Sequence, residues 1–128
     1  MLNPSISSDL TFTVNHELTA KTVGSGTLEV LATPIMIARM EQAAWTAVAP
    51  YLDDGCSTVG TLMNVKHLSP TPTGMEVTCR AELTEVDGKR LVFRVTASDA
   101  RGPVGEGVHE RAVIQNDRFI QKAEKKRG

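Results

Sequence analysis

The sequence predicts an α+β fold, a curved antiparallel sheet wrapped around one central apolar helix. Three observations carry that prediction. Residues 32–50 are apolar on nearly every face yet too short to span a bilayer, which is the pattern of a helix inside a protein. The later segments alternate apolar and polar residues with a period of two. Turn-forming sequences separate these segments, with no βα alternation of the doubly wound kind and no internal repeat.

Each element has its own justification. The opening Met1-Leu2-Asn3-Pro4 has neither a basic start nor an apolar run, so it does not read as a signal peptide. Residues 9–16 form a first strand, with Leu10, Phe12 and Val14 on one face. Val23-Gly24-Ser25-Gly26 is a turn; a lone Gly-x-Gly with no lysine after it is not a phosphate loop. Residues 28–31 form a short strand that feeds the central helix. Thr33 is suited to cap that helix, Pro34 suits its first helical position, and Pro50 marks its end.

Asp53-Asp54-Gly55 then turns the chain into a long strand, 56–68, interrupted at Gly60. Ser69-Pro70-Thr71-Pro72-Thr73-Gly74 is a loop. Residues 75–86 alternate cleanly, with Met75, Val77, Cys79, Ala81 and Leu83 facing inward. Asp87-Gly88 is a hairpin signal, and 91–98 continue the alternation. A turn at Arg101-Gly102-Pro103 precedes the last strand, 104–115, and 117–126 form a polar terminal helix. We read 1–128 as a single domain, with a core at 9–119 and a polar tail at 120–128. A sheet of this kind leaves a bare edge and an apolar seam, which a second copy of the chain would cover; a homodimer is the expected assembly, with a tetramer left open as the alternative.

Composition narrows the function. Lysine and arginine total 14 against 15 acidic residues, and the only basic cluster is the tail Lys122, Lys125, Lys126, Arg127; nucleic acid is therefore not an expected partner. Aromatic residues make up 4%, too few for a base-stacking surface. No stretch is long enough to be transmembrane, and no membrane partner is expected. Cys56 and Cys79 lie in strand-like runs without a paired spacing, as reduced thiols of a cytoplasmic protein do. No His/Cys/Asp cluster has metal-ligand spacing, so no metal is expected.

One residue of the helix is out of place. Glu41 has Ile37, Ala38, Ala44 and Trp45 three and four positions away. A carboxylate on such a face must find a partner, such as neighbouring Arg39 or Gln42, take up a proton, or do chemistry. Three other residues have two readings each. Thr33 is a cap, or a hydroxyl at the positive end of a helix where negative charge is favoured. His67 is a backbone-bonded strand end, or an acid/base group near neutral pH. Gly60 is a bulge, or a place where a carbonyl can approach the backbone closely. His16 and His109 have no evident partner and read as surface or sheet residues.

The order of elements is similar to the hotdog fold. Ala32-Thr33-Pro34, Met40-Glu41-Gln42-Ala43-Ala44, and Gly60-Thr61 followed by Lys66-His67 resemble the fluoroacetyl-CoA thioesterase group of that superfamily. The resemblance implies hydrolysis of an acyl-CoA thioester, with Thr33, Glu41 and His67 as the catalytic group. It implies Gly60 as a residue lining the thioester site and Arg111 as a contact to substrate or coenzyme A. Coenzyme A would enter as part of the substrate, and no separate cofactor is implied. The sequence departs from the group at one place: the fluoroacetyl-specific enzyme has gating phenylalanines before the motif helix, whereas Val23-Gly24-Ser25-Gly26-Thr27 contains no aromatic residue. The expectation is therefore a thioesterase for a small acyl-CoA without fluoroacetyl selectivity. Two other readings compete with it. A non-catalytic acyl-CoA-binding or sensing module would keep the pocket without needing Glu41 to titrate. A hydratase would want a paired Asp and His at the helix, which has neither.

Overall fold

A computed structural model describes residues 1–128. Five antiparallel strands form one sheet: β1 (Ser7–Thr13), β2 (Cys56–His67), β3 (Glu76–Asp87), β4 (Arg90–Asp99) and β5 (Gly102–Gln115). Their order across the sheet is β1-β3-β4-β5-β2, so β1 and β2 are its two edges. A short helix, α1 (Ala20–Val23), precedes the long helix α2 (Thr33–Val48), and α3 (Asn116–Glu124) follows the last strand.

The core lies between α2 and the concave face of the sheet. Met36, Met40, Ala43, Ala44 and Val48 of the helix pack with Val77, Cys79, Ala81 and Leu83 of β3 and Leu91, Phe93, Val95 and Ala97 of β4. Period-two alternation puts every second residue of β3 and β4 on this face, which is why the inward sets are buried almost without interruption. β3 and β4 join through a two-residue loop, Gly88-Lys89, with Asp87 paired to Arg90 and Gly88 at φ 61°.

Two glycines of the sheet decide how closely the helix approaches. A side chain at Gly105 would place its Cβ 2.5 Å from Met36 Sδ, so the first turns of α2 can lie against β5 only because none is there. Gly105 pairs with His67 across the ladder, and this close seating brings the end of β2 beside the start of α2. Gly60 performs the same service further along β2, as described below.

Several details correct the sequence reading. The helix is not buried all round: its outer face is open in the single chain, with Trp45 46% exposed. Residues 28–31 do not form a strand but make isolated bridges, Thr19 to Leu31 and Val30 to Pro72, and join neither edge of the sheet. The cap of α2 is Ala32, with Thr33 already inside the helix, and no side chain caps it. The interruption expected at Gly60 is borne out: β2 runs as one strand whose register against β5 shifts between Gly60 and Leu62.

Phe93 is the largest fully buried side chain. Phe93→Ala should cost about 3–5 kcal/mol of unfolding free energy in urea titration, the range for an aromatic residue removed from a close-packed core.

Candidate active site

Freed from capping, the Thr33 hydroxyl points across to the next strand and lies 2.7 Å from His67 Nδ1. The His67 ring is half-buried, and its Nε2 is shielded from solvent with no hydrogen-bond partner. Burial pushes the His67 pKa below the ordinary imidazole value, and the backbone of Ser69 offsets only part of that. The ring is therefore neutral at pH 7 and holds an unused buried polar atom. Beside it is a cleft of about 330 Å³, lined by Ala20, Ser25, Val30, Leu31, Thr33, His67, Leu68, Ser69 and Pro70. No aromatic side chain lines it.

Glu41 belongs to a second cluster. Neither Arg39 nor Gln42 pairs with it: Arg39 donates to Gln42 and stacks over the Phe12 ring. The partner of Glu41 is Arg111 of β5, with Nη1 3.5 Å from Oε2. The expected desolvation is only partial, since 40% of the Glu41 side chain remains exposed in the single chain. Gly60 lies directly opposite, where an added Cβ would come 2.7 Å from Glu41 Oε2. The missing side chain is thus the space that the carboxylate fills.

Arg111 is 6% exposed, and its donors are held by protein groups. Nε donates to Thr58 Oγ1 at 2.8 Å, Nη2 to the Thr58 carbonyl at 2.8 Å, and Nη1 to His109 Nε2 at 3.2 Å. Burial lowers its pKa, while the Glu41 charge and hydrogen bond act in the opposite direction. His109 is 1% exposed and also donates through Nδ1 to the Leu62 carbonyl at 2.8 Å. Burial and Arg111 hold it below the ordinary imidazole pKa, against raising contributions from the Leu62 carbonyl and Glu41.

The structure therefore joins Thr33 with His67, and Glu41 with Gly60 and Arg111, but it does not join the two groups within one chain. His109 and Thr58 were missed from sequence. The signal for His109 was present: Gly105, Gly107, His109, Arg111 and Val113 occupy alternate positions of β5, and the sheet turns this set inward.

One long central helix on a curved five-stranded sheet, with a threonine–histidine pair at a cleft, defines a hotdog protein of the thioesterase type. The model of the fluoroacetyl-CoA-specific thioesterase family matches residues 14–117, and the chain belongs to that family. It is 46% identical over 98 residues to the fluoroacetyl-CoA thioesterase of Streptantibioticus cattleyicolor, covering 77% of this chain and 70% of that protein. The solved structure of the fluoroacetyl-CoA thioesterase FlK superposes with a TM-score of 0.94 at 36% identity, over 98% of both chains. A hot-dog-like protein from Thermanaerovibrio acidaminovorans superposes at 0.89 with 26% identity, over 98% of this chain and 93% of that one. The fold and the enzyme class read from sequence are thereby shown: the chain is a thioester hydrolase.

Two predictions follow from the geometry. Gly60→Ala should push the Glu41 carboxylate off its seat and cut turnover while the protein stays folded, as read by thioester cleavage alongside circular dichroism. The two neutral histidines also set a pH dependence of stability. Each has a folded pKa below its unfolded value, so between those values the unfolded chain binds more protons and stability falls as pH drops. Urea titrations should show this fall below about pH 6.5, above the carboxylate range, and His67→Gln with His109→Gln together should flatten it.

Proposed function

We propose that this chain hydrolyses short acyl-CoA thioesters without selectivity for fluoroacetyl-CoA, at sites shared between two protomers. The observation that carries this reading is the split of the site. Thr33 and Glu41 are eight residues apart on α2, roughly 12 Å along the axis at 1.5 Å per residue. His67 and Gly60 are seven residues apart on β2, roughly 23 Å along the strand at about 3.3 Å per residue. No single small acyl group can touch both clusters within one chain.

Antiparallel pairing of two β2 edges would reconcile the distances. A two-fold axis midway between residues 60 and 67, between Met63 and Asn64, sets His67 of one protomer opposite Gly60 of the other. β2 is a free edge, its residue Leu62 is 44% exposed, and the outer face of α2 lies open beside it. Edge pairing covers all of these at once. The resulting assembly is a homodimer with two equivalent sites.

The chemistry then divides between the halves. The Thr33 hydroxyl donates to His67 Nδ1, which leaves the proton of the neutral ring on Nε2, aimed at the thioester carbonyl oxygen. That donor, together with the positive end of α2, stabilises the oxyanion as it develops. The partner's Glu41, steadied by Arg111, takes a proton from water as the water oxygen bonds to the carbonyl carbon. Collapse of the tetrahedral adduct breaks the C–S bond, and the proton on Glu41 passes to the departing thiolate. Arg111 supports Glu41 in this scheme. The cleft beside Thr33 has no aromatic gate and is lined by small and aliphatic side chains. Nothing in such a lining distinguishes fluorine from hydrogen, which supports a broader short-acyl range.

Thiol release from a panel of acyl-CoAs tests the substrate class. Similar kcat/KM values for acetyl-, propionyl- and fluoroacetyl-CoA fit the proposal, and a fluoroacetyl preference of several orders of magnitude contradicts it. Glu41→Gln keeps the side-chain shape but removes the base, and should lower kcat by about 10²–10⁴-fold. Mixing Thr33→Ala with Glu41→Gln chains should restore one intact site per heterodimer. Confirmed exchange without recovery means that each site draws both residues from one chain.

A further inference from the structure

The proposed reaction leaves two buried titratable side chains without a role. Cys79 sits among apolar residues of the core, and burial pushes its thiol up to about 12, so it is inert packing. His109 is different, because both of its ring nitrogens are engaged and one of them touches the arginine that holds Glu41. We propose that His109 is a positioning residue for the hydrolysis: it locks the Arg111 guanidinium and so fixes the Glu41 carboxylate over Gly60. This inference rests on the role of Glu41 proposed above.

The partners assign the tautomer. A carbonyl can only accept, so the proton lies on Nδ1, 2.8 Å from the Leu62 oxygen. A guanidinium can only donate, so Nε2 presents its lone pair to Arg111 Nη1 at 3.2 Å. The same Nη1 reaches Glu41 Oε2 at 3.5 Å. One nitrogen of Arg111 is thus shared between the imidazole that steadies it and the carboxylate that it steadies. A protonated ring would turn a donor, and a like charge, toward Arg111. The charged groups around the ring are Arg111 and Glu41, and the Phe93 ring covers it at a centroid distance of 6.1 Å.

The anchor at the other end is informative. Leu62 lies immediately after the register shift that begins at Gly60. His109 therefore ties the irregular part of β2 to the guanidinium. Its Cε1 would lie 3.3 Å from a Cβ at Gly60, the position that Glu41 also crowds. A residue here needs one donor and one acceptor on opposite ends of a short rigid side chain. Glutamine meets the donor and acceptor requirement, whereas leucine fills the volume and meets neither.

The test uses full-length protein and the acyl-CoA that the parent cleaves fastest. His109→Leu should lower kcat by about 10- to 100-fold, the scale for a misplaced catalytic group, with KM within about twofold. His109→Gln should recover most of the loss. On an Arg111→Lys background, His109→Leu should add less than about twofold, because the two residues act as one unit. Urea titration of each variant separates these effects from simple destabilisation. Nitrogen NMR of the parent, which requires no substrate, should show His109 protonated on Nδ1 and bare on Nε2. Parent-like kcat in folded His109→Leu, a glutamine variant as poor as the leucine one, or a proton on Nε2 would each overturn the proposal. Should the parent cleave no acyl-CoA at all, the proposed function fails and the catalytic meaning of His109 fails with it, while the NMR result still reports separately on the tautomer.

Discussion

A buried guanidinium has to be surrounded by acceptors, and in this protein much else follows from satisfying that of Arg111. It is the one Lys or Arg side chain inside the fold. Uncompensated, such a charge would cost several kcal/mol. Thr58, His109 and Glu41 supply the acceptors, and each belongs to a different element: β2, β5 and α2. The guanidinium therefore links the helix to β5 and to the edge strand β2. It also explains a carboxylate on an otherwise apolar helix. Glu41 is held there as the counter-charge of Arg111, on a long contact that leaves most of its hydrogen-bonding capacity available.

The second constraint is helical geometry. The first residue of α2 and Glu41 are separated by a fixed rise that no rotamer can overcome. In the proposed mechanism both residues serve one reaction, and that mechanism completes the site with a second copy of the chain. The exposed β2 edge and the open outer face of α2 are what a single protomer leaves unfinished. The absence of side chains at Gly60 and Gly105 leaves the room that the Glu41 carboxylate and the Met36 side chain occupy. Fold and site therefore share their constraints: altering how the helix sits on the sheet moves Thr33 and Glu41 together.

Much of this was legible in the sequence, for identifiable reasons. The strands β3 and β4 announce themselves because strict alternation and an Asp-Gly turn leave no competing structure. The helix was visible from its apolar run and its flanking prolines. Glu41 stood out because a charge on that face needs an explanation. What sequence could not give was pairing at a distance. Arg39 and Gln42 were the nearest candidates for Glu41, but the true partner lies seventy residues away on β5. Thr33 looked like a cap because its position fits one; only the tertiary contact with His67 shows that the hydroxyl is used elsewhere. His109 was passed over because the alternation of β5 marks it as inward-facing but does not identify the Leu62 carbonyl and Arg111 guanidinium that it meets. The segment 28–31 failed as a strand for the complementary reason: local propensity was adequate, but its backbone pairs with the loops at Thr19 and Pro72 and not with the sheet.

The central claim is that one thioester is held between Thr33–His67 of one protomer and Glu41 of the other. A crystal structure with an acyl-CoA analogue whose sulfur is replaced by a methylene group tests it most directly. The account predicts a homodimer paired through β2, with the analogue's carbonyl oxygen at His67 Nε2 of one chain and its carbonyl carbon facing the partner's Glu41. A carbonyl that contacts His67 and Glu41 of the same chain, or an analogue bound to a protein whose β2 edge remains free, would contradict it.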